Sequence, residues 1–300
     1  MIVTSTGKWF RKLLKVMGAL LAGFLLLSVI GSVAIMTVPR LPLTADPILI
    51  NPEYQSVSFI ARDGVTLKGW FFPGDNGTVI VIVHGGFQNR VDDLANTAGI
   101  GRDLVRLGFN LLLFDLSGRG ESGGKGVNLK YEPSDIGGAV DYLKQRGFNT
   151  NSIGLMGFCS GAAGVCIFSA GEQVGAVVLD GCFNTIKSMV INQARERHIP
   201  IRLLSAFHST MKQIVKYSYR YETQDPIDFI GKIESPILLI HEQFDDLVSY
   251  QDTLDIYSRA TVTDVMFWEV QGAYHSRAYD YDPTAYINRI VGFFESKLTL

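Results

Sequence analysis

The chain has little cysteine and no excess of charge of either sign. Its 300 residues include three cysteines, at positions 159, 166 and 182, without the spacings that ligate zinc or build a disulfide framework. Lysine and arginine number 27 against 29 acidic residues, so the formal net charge is −2. Binding to the phosphate backbone of nucleic acid requires a basic excess, and we therefore expect no nucleic-acid partner.

Sequence motifs for cofactors are also missing. No Gly-Lys pair is followed by serine or threonine, and the glycines at 118–120 lack a phosphate-binding pattern. We therefore expect no metal, nucleotide or flavin cofactor. The 31 glycines in a chain that is 47% hydrophobic predict a folded protein with many tight turns between buried elements.

One long hydrophobic run is present at residues 16–38, where no position carries a charge. As a helix it would be about 35 Å long, enough to cross a hydrocarbon layer of roughly 30 Å. Four basic residues lie within residues 8–15, whereas only Arg40 follows closely. The positive-inside rule therefore predicts a single-pass anchor with residues 1–15 in the cytoplasm and the folded domain outside it.

A cleaved signal peptide is the alternative, because Ser32-Val33-Ala34 carries the small residues that signal peptidase requires. The run is long for the hydrophobic region of a signal peptide, which favours the anchor. Four prolines in residues 39–54 exclude a helix there and predict an extended spacer between membrane and domain. The domain is expected to occupy residues 55–300.

Short apolar runs alternate with segments of helical period from residue 55 onwards. The runs at 55–61 and 65–72 alternate in polarity and predict an antiparallel hairpin. Six further runs are mostly apolar, as in strands buried on both faces: 78–83, 109–114, 152–156, 174–180, 236–241 and 263–270. This order predicts an α/β fold with a doubly wound, mostly parallel sheet. Two of the helices are expected at 91–105 and after Asp282-Pro283.

Residues 183–228 interrupt this alternation with a weak helical pattern that is longer than a crossover between strands needs. We expect them to form a helical lid over the strand ends. Within the lid, residues 206–221 mix apolar, basic and aromatic side chains. This mixture fits ordinary lid packing, and it also fits contact with a membrane or an amphiphilic substrate.

The most specific motif is Gly157-Phe158-Cys159-Ser160-Gly161, which follows an expected strand and opens a helix of small residues. At a nucleophile elbow the residues two positions before and after the turning residue must be very small. Glycines occupy both positions around Cys159, whereas larger residues occupy them around Ser160. The spacing therefore selects Cys159 as the nucleophile.

With this elbow, residues 55–298 resemble the α/β-hydrolase superfamily. The usual elbow there is G-x-S-x-G, and cysteine replaces serine as in the dienelactone-hydrolase-like and some acyltransferase branches. Four other segments resemble family landmarks in the family's order: His84-Gly85-Gly86-Phe87 the oxyanion loop, 115–122 the D-x-x-G-x-G-x-S turn, 236–248 the acid loop and 272–275 the G-x-x-H segment. Glu242 stands where the acid loop usually has glycine.

The resemblance implies a catalytic triad, because Cys159, Asp245 and His275 follow the nucleophile, acid, base order of this fold. His275 is expected to take the proton of Cys159, and Asp245 to orient the imidazole. The helix that begins at the elbow favours a thiolate at Cys159, so we expect a thiolate and imidazolium pair. Asp246 and Asp180 compete with Asp245 for the role of the acid.

The tetrahedral oxyanion of an acyl-transfer reaction needs preorganised donors. The backbone N–H groups of Gly86 and Ser160 are the candidates, with Phe87 as a second choice. The histidines at 84 and 241 end strands and are expected to be structural. A disulfide between Cys159 and Cys182 is a conceivable inactive form outside the cytoplasm.

Together these features predict a membrane-anchored hydrolase that cleaves esters, thioesters or lactones of a small-molecule acyl substrate through an acyl-thioenzyme. Two alternatives stay open at this stage. The same intermediate would serve an acyltransferase, and a protein that has lost catalysis could use the fold for binding. The acyl group, the leaving group and the oligomeric state are not determined by the sequence.

Overall fold

The structure is a computed structural model that describes residues 3–196, 198, 201–262 and 264–299. The helices are α1 (Val3–Met36), α2 (Thr97–Arg106), α3 (Glu132–Gln145), α4 (Ser160–Ser169), α5 (Ile186–Glu196), α6 (Ile201–Ser218), α7 (Tyr250–Arg259), α8 (Ala278–Tyr281) and α9 (Pro283–Lys297). The strands are β1 (Gln55–Ile60), β2 (Thr66–Phe72), β3 (Val79–Val83), β4 (Asn110–Phe114), β5 (Ile153–Phe158), β6 (Ala176–Asp180), β7 (Ile237–Phe244) and β8 (Val265–Tyr274).

The eight strands form one sheet in the order β1-β2-β4-β3-β5-β6-β7-β8. Strand β2 is antiparallel to both of its neighbours, and the remaining pairs are parallel. The predicted α/β fold with a leading antiparallel hairpin is confirmed. Because parallel strands end at the same edge, the loops after β3, β5, β7 and β8 meet there.

Helices cover both faces of the sheet, which explains why the central strands are apolar without alternation. Every residue of β3, β4 and β6 is buried. Side chains such as Ile80 pack with α2 and α9 on one face, whereas neighbours such as Val81 pack with α3 and α4 on the other.

The expected element bounds differ from the structure in a few places. Residues 91–96 do not join α2, because the carboxylate of Asp92 accepts hydrogen bonds from the backbone of Leu94 and Ala95 and holds a turn. Strands β5, β7 and β8 continue beyond their expected ends and carry the chain into the elbow and the two later landmarks. Thr263, the expected start of the last strand, lies outside the described residues.

Residues 39–54 contain no α-helix, as the prolines predict. Just before them, Thr37 pairs with Val127 in an isolated bridge, and the backbone N–H of Val38 donates to Gly126 O at 3.0 Å. Within the segment, the Arg40 guanidinium donates to the carbonyl of Ser122 at 2.6 Å. The segment therefore contacts the domain through a side chain, and its role as a spacer between membrane and domain stays a prediction.

Among the described residues, α1 is the helix that is long and apolar enough to cross a membrane, a test of length and hydropathy that a signal sequence also passes. Its C-terminal half packs along α6, where the rings of Phe24 and Phe207 stack at 4.5 Å between centroids. Helices α5 and α6 occupy the expected lid, of which residues 197, 199 and 200 lie outside the described part.

Candidate active site

Cys159 is the turning residue between β5 and α4, with φ 51° and ψ −116°. A side chain at Gly157 would place its Cβ 2.6 Å from Ala162 N, and one at Gly161 would place it 2.5 Å from Val83 O. Neither position has room for a side chain, so the glycines are needed for the strained backbone at Cys159. Cys159 is partly exposed and is a free thiol.

Asp245 and His275 form the other half of the site, at the ends of β7 and β8. Nδ1 of His275 lies 2.6 Å from Oδ2 of Asp245, and the Asp245 side chain has no exposed surface. The second oxygen, Oδ1, accepts hydrogen bonds from the backbone N–H groups of Leu247 and Val248 at 2.8 and 2.7 Å. Two backbone N–H groups thus hold one oxygen of the carboxylate, and the other oxygen orients the imidazole.

The imidazole of His275 lies close to Cys159 as well as to Asp245. Burial lowers the pKa of His275, but the negative charges of Cys159 and Asp245 act in the opposite direction and leave it well above its ordinary value. Its Nε2 is buried and has no hydrogen-bond partner among the described residues. This nitrogen is therefore available to the thiol and to a substrate.

The loop after β3 places Gly86 beside the elbow, since a Cβ at Gly86 would overlap the Ser160 hydroxyl and the Asn128 side chain. Arg119 holds this loop: its Nε donates to Gly86 O at 3.1 Å, and its Nη2 donates to Glu132 at 2.9 Å. The Arg119 side chain has no exposed surface. In the sequence, Arg119 is marked only by its place in the segment 115–122 that resembles the family's D-x-x-G-x-G-x-S turn.

Glu242 and Asp180 form a second pair of carboxyls at the site, both without exposed surface. Burial raises the pKa of each, and the charge of Asp180 raises the pKa of Glu242 further. Oδ1 of Asp180 and both carboxyl oxygens of Glu242 are buried without a hydrogen-bond partner among the described residues, so a neutral Glu242 is favoured beside the charge of Asp180. Oδ2 of Asp180 accepts a 2.5 Å hydrogen bond from the Tyr286 hydroxyl.

These contacts separate the three candidate acids. Asp245 is bonded to the imidazole, Asp180 accepts a hydrogen bond from the Tyr286 hydroxyl, and Asp246 is exposed. The replacement of the family's glycine by Glu242 signalled a departure in the sequence, but its pairing with Asp180 could not be foreseen.

Ligand atoms of Glu242, Asp245 and His275 lie within 4.8 Å of one another, a spacing that a metal ion could use. Nδ1 of His275 is already bonded to Asp245, and the raised pKa of Glu242 favours its neutral form. A metal ligand must be deprotonated, so this donor set suits a hydrogen-bonded triad better than a cation.

The remaining histidines at strand ends have structural contacts. Nδ1 of His84 lies 2.7 Å from Gly85 O, its Nε2 accepts from Leu116 N at 3.1 Å, and burial lowers its pKa to about 4. His241 is hydrogen-bonded to Thr253 at 3.1 Å. Cys182 is buried and has a free thiol, so the structure holds no bond between it and Cys159.

A cavity of about 470 Å³ lies over Cys159 and His275. Helix α5 lines it with Met189, Val190 and Gln193, and the last turn of α1 adds Ala34 and Ile35. The loop after β3 contributes Phe87, whose side chain is half-exposed. A pocket of this size is in the usual range for small-molecule ligands, which is about 300–1,000 Å³.

No protein-family model matches the chain. Protein YqkD of Bacillus subtilis is 25% identical over 246 residues, 78% of this chain and 76% of that protein. Protein YfhR of Salmonella typhi is 30% identical over 229 residues, covering 69% and 70%. The α/β-hydrolase domain-containing protein 17C of Xenopus tropicalis is 27% identical over 229 residues, covering 75% and 64%.

Solved structures resemble the whole sheet and its helices. A Pyrococcus furiosus esterase superposes with a TM-score of 0.75 at 21% identity over 88% of this chain and 99% of that one. The α/β hydrolase GrgF from Penicillium superposes with a TM-score of 0.66 at 18% identity, covering 82% and 99%. With its strand order, its elbow and these relatives, the chain belongs to the α/β-hydrolase superfamily.

Proposed function

We propose that the protein is a membrane-anchored hydrolase that cleaves carboxylic ester, thioester or lactone bonds through Cys159, His275 and Asp245. The observation that carries this proposal is a strained cysteine at the floor of a pocket, beside an imidazole fixed by a buried carboxylate. The solved neighbours include proteins named as esterases, which supports hydrolysis on this fold.

In the first half of the reaction, the Cys159 thiolate attacks the acyl carbonyl carbon and a C–S bond forms. The N–H groups of Gly86 and Ser160 stabilise the oxyanion, and Arg119 holds the Gly86 peptide in place. The imidazolium of His275 then donates its proton to the leaving alcohol or thiol. The bond between carbonyl carbon and leaving group breaks, and an acyl-thioenzyme remains.

In the second half, the neutral imidazole takes a proton from water, and the resulting hydroxide attacks the thioester carbonyl. The second tetrahedral intermediate collapses with cleavage of the C–S bond. The products are a carboxylic acid, the Cys159 thiolate and the protonated imidazole. Asp245 keeps the same hydrogen bond to Nδ1 throughout and stabilises the charged ring.

The same proposal includes retention of α1 as an anchor, with the catalytic domain outside the cytoplasm. Cleavage after Ala34 would remove Gly31 and Ser32, which lie on the face of α1 that packs against the domain. Loss of packed surface has a cost in stability, which supports retention of the helix. An alkaline wash that leaves the full-length chain in the membrane fraction is the expected result.

The test of the nucleophile uses the full-length protein in detergent, treated with activated esters and acyl thioesters. Mass spectrometry of the intact protein and its digest is expected to find one acyl adduct on Cys159. Cys159→Ala is expected to lose the adduct, and Cys182→Ala serves as the matched cysteine control. An adduct on Ser160, or no adduct on the folded protein, would refute the proposal, and the second result would favour a binding protein.

Acyl transfer is the second candidate, because α1 and α5 roof the pocket and exclusion of water favours transfer over hydrolysis. The acyl-thioenzyme would then react with an alcohol or amine in place of water. Product analysis with such acceptors in excess separates the two functions. Formation of free acid alone supports hydrolysis and counts against transfer.

A further inference from the structure

The last turn of α1 forms part of the wall of the catalytic pocket. Ala34 and Ile35 line the same cavity as Cys159 and His275. The backbone just beyond them is paired with the domain, since Asn128 N donates to Met36 O at 2.9 Å. A hydrophobic helix of the anchor type therefore contributes directly to the surface that a substrate contacts.

Close packing holds this wall in position. A Cβ at Gly31 would lie 3.1 Å from the terminal methyl of Met211, so the bare glycine lets α6 approach α1 closely. The hydroxyls of Ser28 and Ser32 on the same face donate to backbone carbonyls one turn earlier, at 2.9 and 2.8 Å. Small residues and internally satisfied hydroxyls are typical of helix contacts within membranes.

The other face of α1 is apolar and exposed. Leu26 is 60% and Val33 is 46% exposed, and Ile30 lies between them on this face. A continuous apolar surface of this kind is stable in lipid and costly in water. The catalytic pocket therefore lies where α1 leaves the bilayer, with one side of the helix toward lipid and the other toward the pocket.

The pocket itself suits an apolar group. Its walls include Leu94, Met189, Val190 and Leu247, together with the half-exposed Phe87. The carboxylate of Asp92 also borders it, but this group is buried and accepts hydrogen bonds from the backbone of Gly85, Leu94 and Ala95. Apolar walls beside a nucleophile favour an alkyl chain on the acyl group over a charged one.

A second, smaller cavity of about 70 Å³ adjoins the first. The two share Ile35, Asn128 and Val190 as lining residues, and the second lies between α1 and α6 beside Met211 and Val215. Its lining also includes Lys187, His208, Lys212 and Asp225. A volume this small, beside a helix that faces lipid, has room for part of an alkyl chain and excludes a bulky ring.

We propose that the substrate is a long-chain acyl ester or thioester held in the bilayer, and that the end of α1 binds its acyl chain. The chain lies against Ala34, Ile35 and Val190, with its carbonyl carbon at Cys159. Attack breaks the bond to the leaving alcohol or thiol and forms the Cys159 thioester, and water then releases the fatty acid. This inference rests on the proposed function and adds its substrate class.

The test compares p-nitrophenyl laurate with p-nitrophenyl acetate on the full-length protein in lipid nanodiscs. The natural protein is expected to have a higher kcat/KM for the laurate ester than for the acetate ester. Ile35→Trp and Val190→Trp fill the junction of the two cavities from opposite sides. Each is expected to lower the laurate-to-acetate ratio of kcat/KM by about tenfold or more.

Val33→Trp is the matched control, because it adds the same side chain two residues before Ile35, on the exposed face of α1. Its ratio is expected to equal that of the natural chain. If a tryptophan variant is inactive with both esters, Ile35→Ala is measured in its place. Loss of the Ile35 side chain removes a contact with the acyl chain, so this variant is expected to have a higher KM for laurate and a lower laurate-to-acetate ratio of kcat/KM.

The inference is overturned if the laurate-to-acetate ratio of kcat/KM is unchanged in these variants. It is also overturned if the natural protein prefers the acetate ester while Cys159 becomes acylated. Either result leaves the proposed hydrolase intact. Absence of any acyl adduct on Cys159 with both esters would instead overturn the proposed function. The two failures are thereby distinguished by the mass of the intact protein.

Discussion

The carboxyl groups of Asp180 and Glu242 are neighbours in the interior, and neither side chain has exposed surface. Burial raises the pKa of both, and the charge of Asp180 raises the pKa of Glu242 further, which favours a proton on Glu242. The pair and Asp245 lie close to the imidazole of His275. A glutamate in place of the family's glycine thus adds a buried acid pair next to Asp245 and His275.

This pair makes stability depend on pH in a defined direction. The raised pKa of Glu242 means that the folded state keeps a proton that the unfolded chain releases above its ordinary value of 4.5. The free energy of unfolding therefore falls as pH rises above that value, by at most about 1.4 kcal/mol per pH unit. Glu242→Gln cannot release this proton and is expected to be more stable than the natural chain at pH 8.

Denaturant unfolding of both proteins at acidic and alkaline pH measures this effect. At a pH near 4.5, the ordinary pKa of glutamate, the natural protein and Glu242→Gln are expected to have similar free energies of unfolding. Glu234→Gln, an exposed position, is the control and should leave the pH dependence unchanged. If the free energy of unfolding depends on pH equally in Glu242→Gln and in the natural protein, the raised pKa of Glu242 is contradicted.

The identity of the acid is tested by Asp245→Asn and Asp180→Asn. Asp245 is bonded to Nδ1 of His275, so its amide variant is expected to lose about a thousandfold or more in kcat. Asp180 is bonded to Tyr286 instead, and its variant is expected to lose less than about tenfold in kcat. The reverse order of the two losses in steady-state kinetics would assign the acid to Asp180.

Arg119 is expected to act as a positioning residue for the oxyanion loop. Arg119→Lys keeps the charge but cannot bond Gly86 and Glu132 at once. We expect kcat to fall by about ten- to a hundredfold with little change in KM, because the Gly86 N–H then aligns less well with the oxyanion. Arg106→Lys is the exposed control, and an equal rise in KM with unchanged kcat would argue against this role.

The charge of His275 is tested through the reactivity of Cys159. Its raised pKa keeps the imidazole charged above its ordinary 6.5, and a charged imidazole stabilises a neighbouring thiolate. His275→Ala is therefore expected to slow alkylation of Cys159 by iodoacetamide at pH 7 by about tenfold or more. His198→Ala, an exposed position, is the control. Equal alkylation rates in all three proteins would exclude the ion pair.

Chelation tests the donor set formed by Glu242, Asp245 and His275. Because the imidazole and Asp245 are bonded to each other, EDTA is expected to leave ester hydrolysis unchanged. The rate is measured before and after chelation and again after addition of zinc. Loss of activity that zinc restores would show that a metal ion is required.

The fold and the elbow followed from local rules of sequence. Apolar runs of strand length predicted β3 to β8. The two glycines around Cys159 predicted that no side chain fits at these positions, and the close backbone contacts confirm this. These features depend on residues within a few positions of one another. Residues so close in the sequence are also close in space, and their spacing alone was therefore enough to predict the strands and the elbow.

Other parts of the site depended on contacts between distant segments. Arg119 meets Gly86 across 33 residues, and Tyr286 meets Asp180 across 106. Arg40, in the expected spacer, likewise meets the carbonyl of Ser122 across 82 residues. No local pattern encodes such pairs, because they form only when the strand order brings the loops together.

The sequence by itself determined the α/β class, the strained position of Cys159, the order of Cys159, Asp245 and His275 along the chain, and a helix apolar enough for a membrane. Only the tertiary structure decided that Asp245 bonds the imidazole, that Glu242 is buried beside Asp180, and that α1 forms a wall of the pocket. The reason is physical: burial and partner choice set protonation and shape, and both arise only when the sheet and its helices pack.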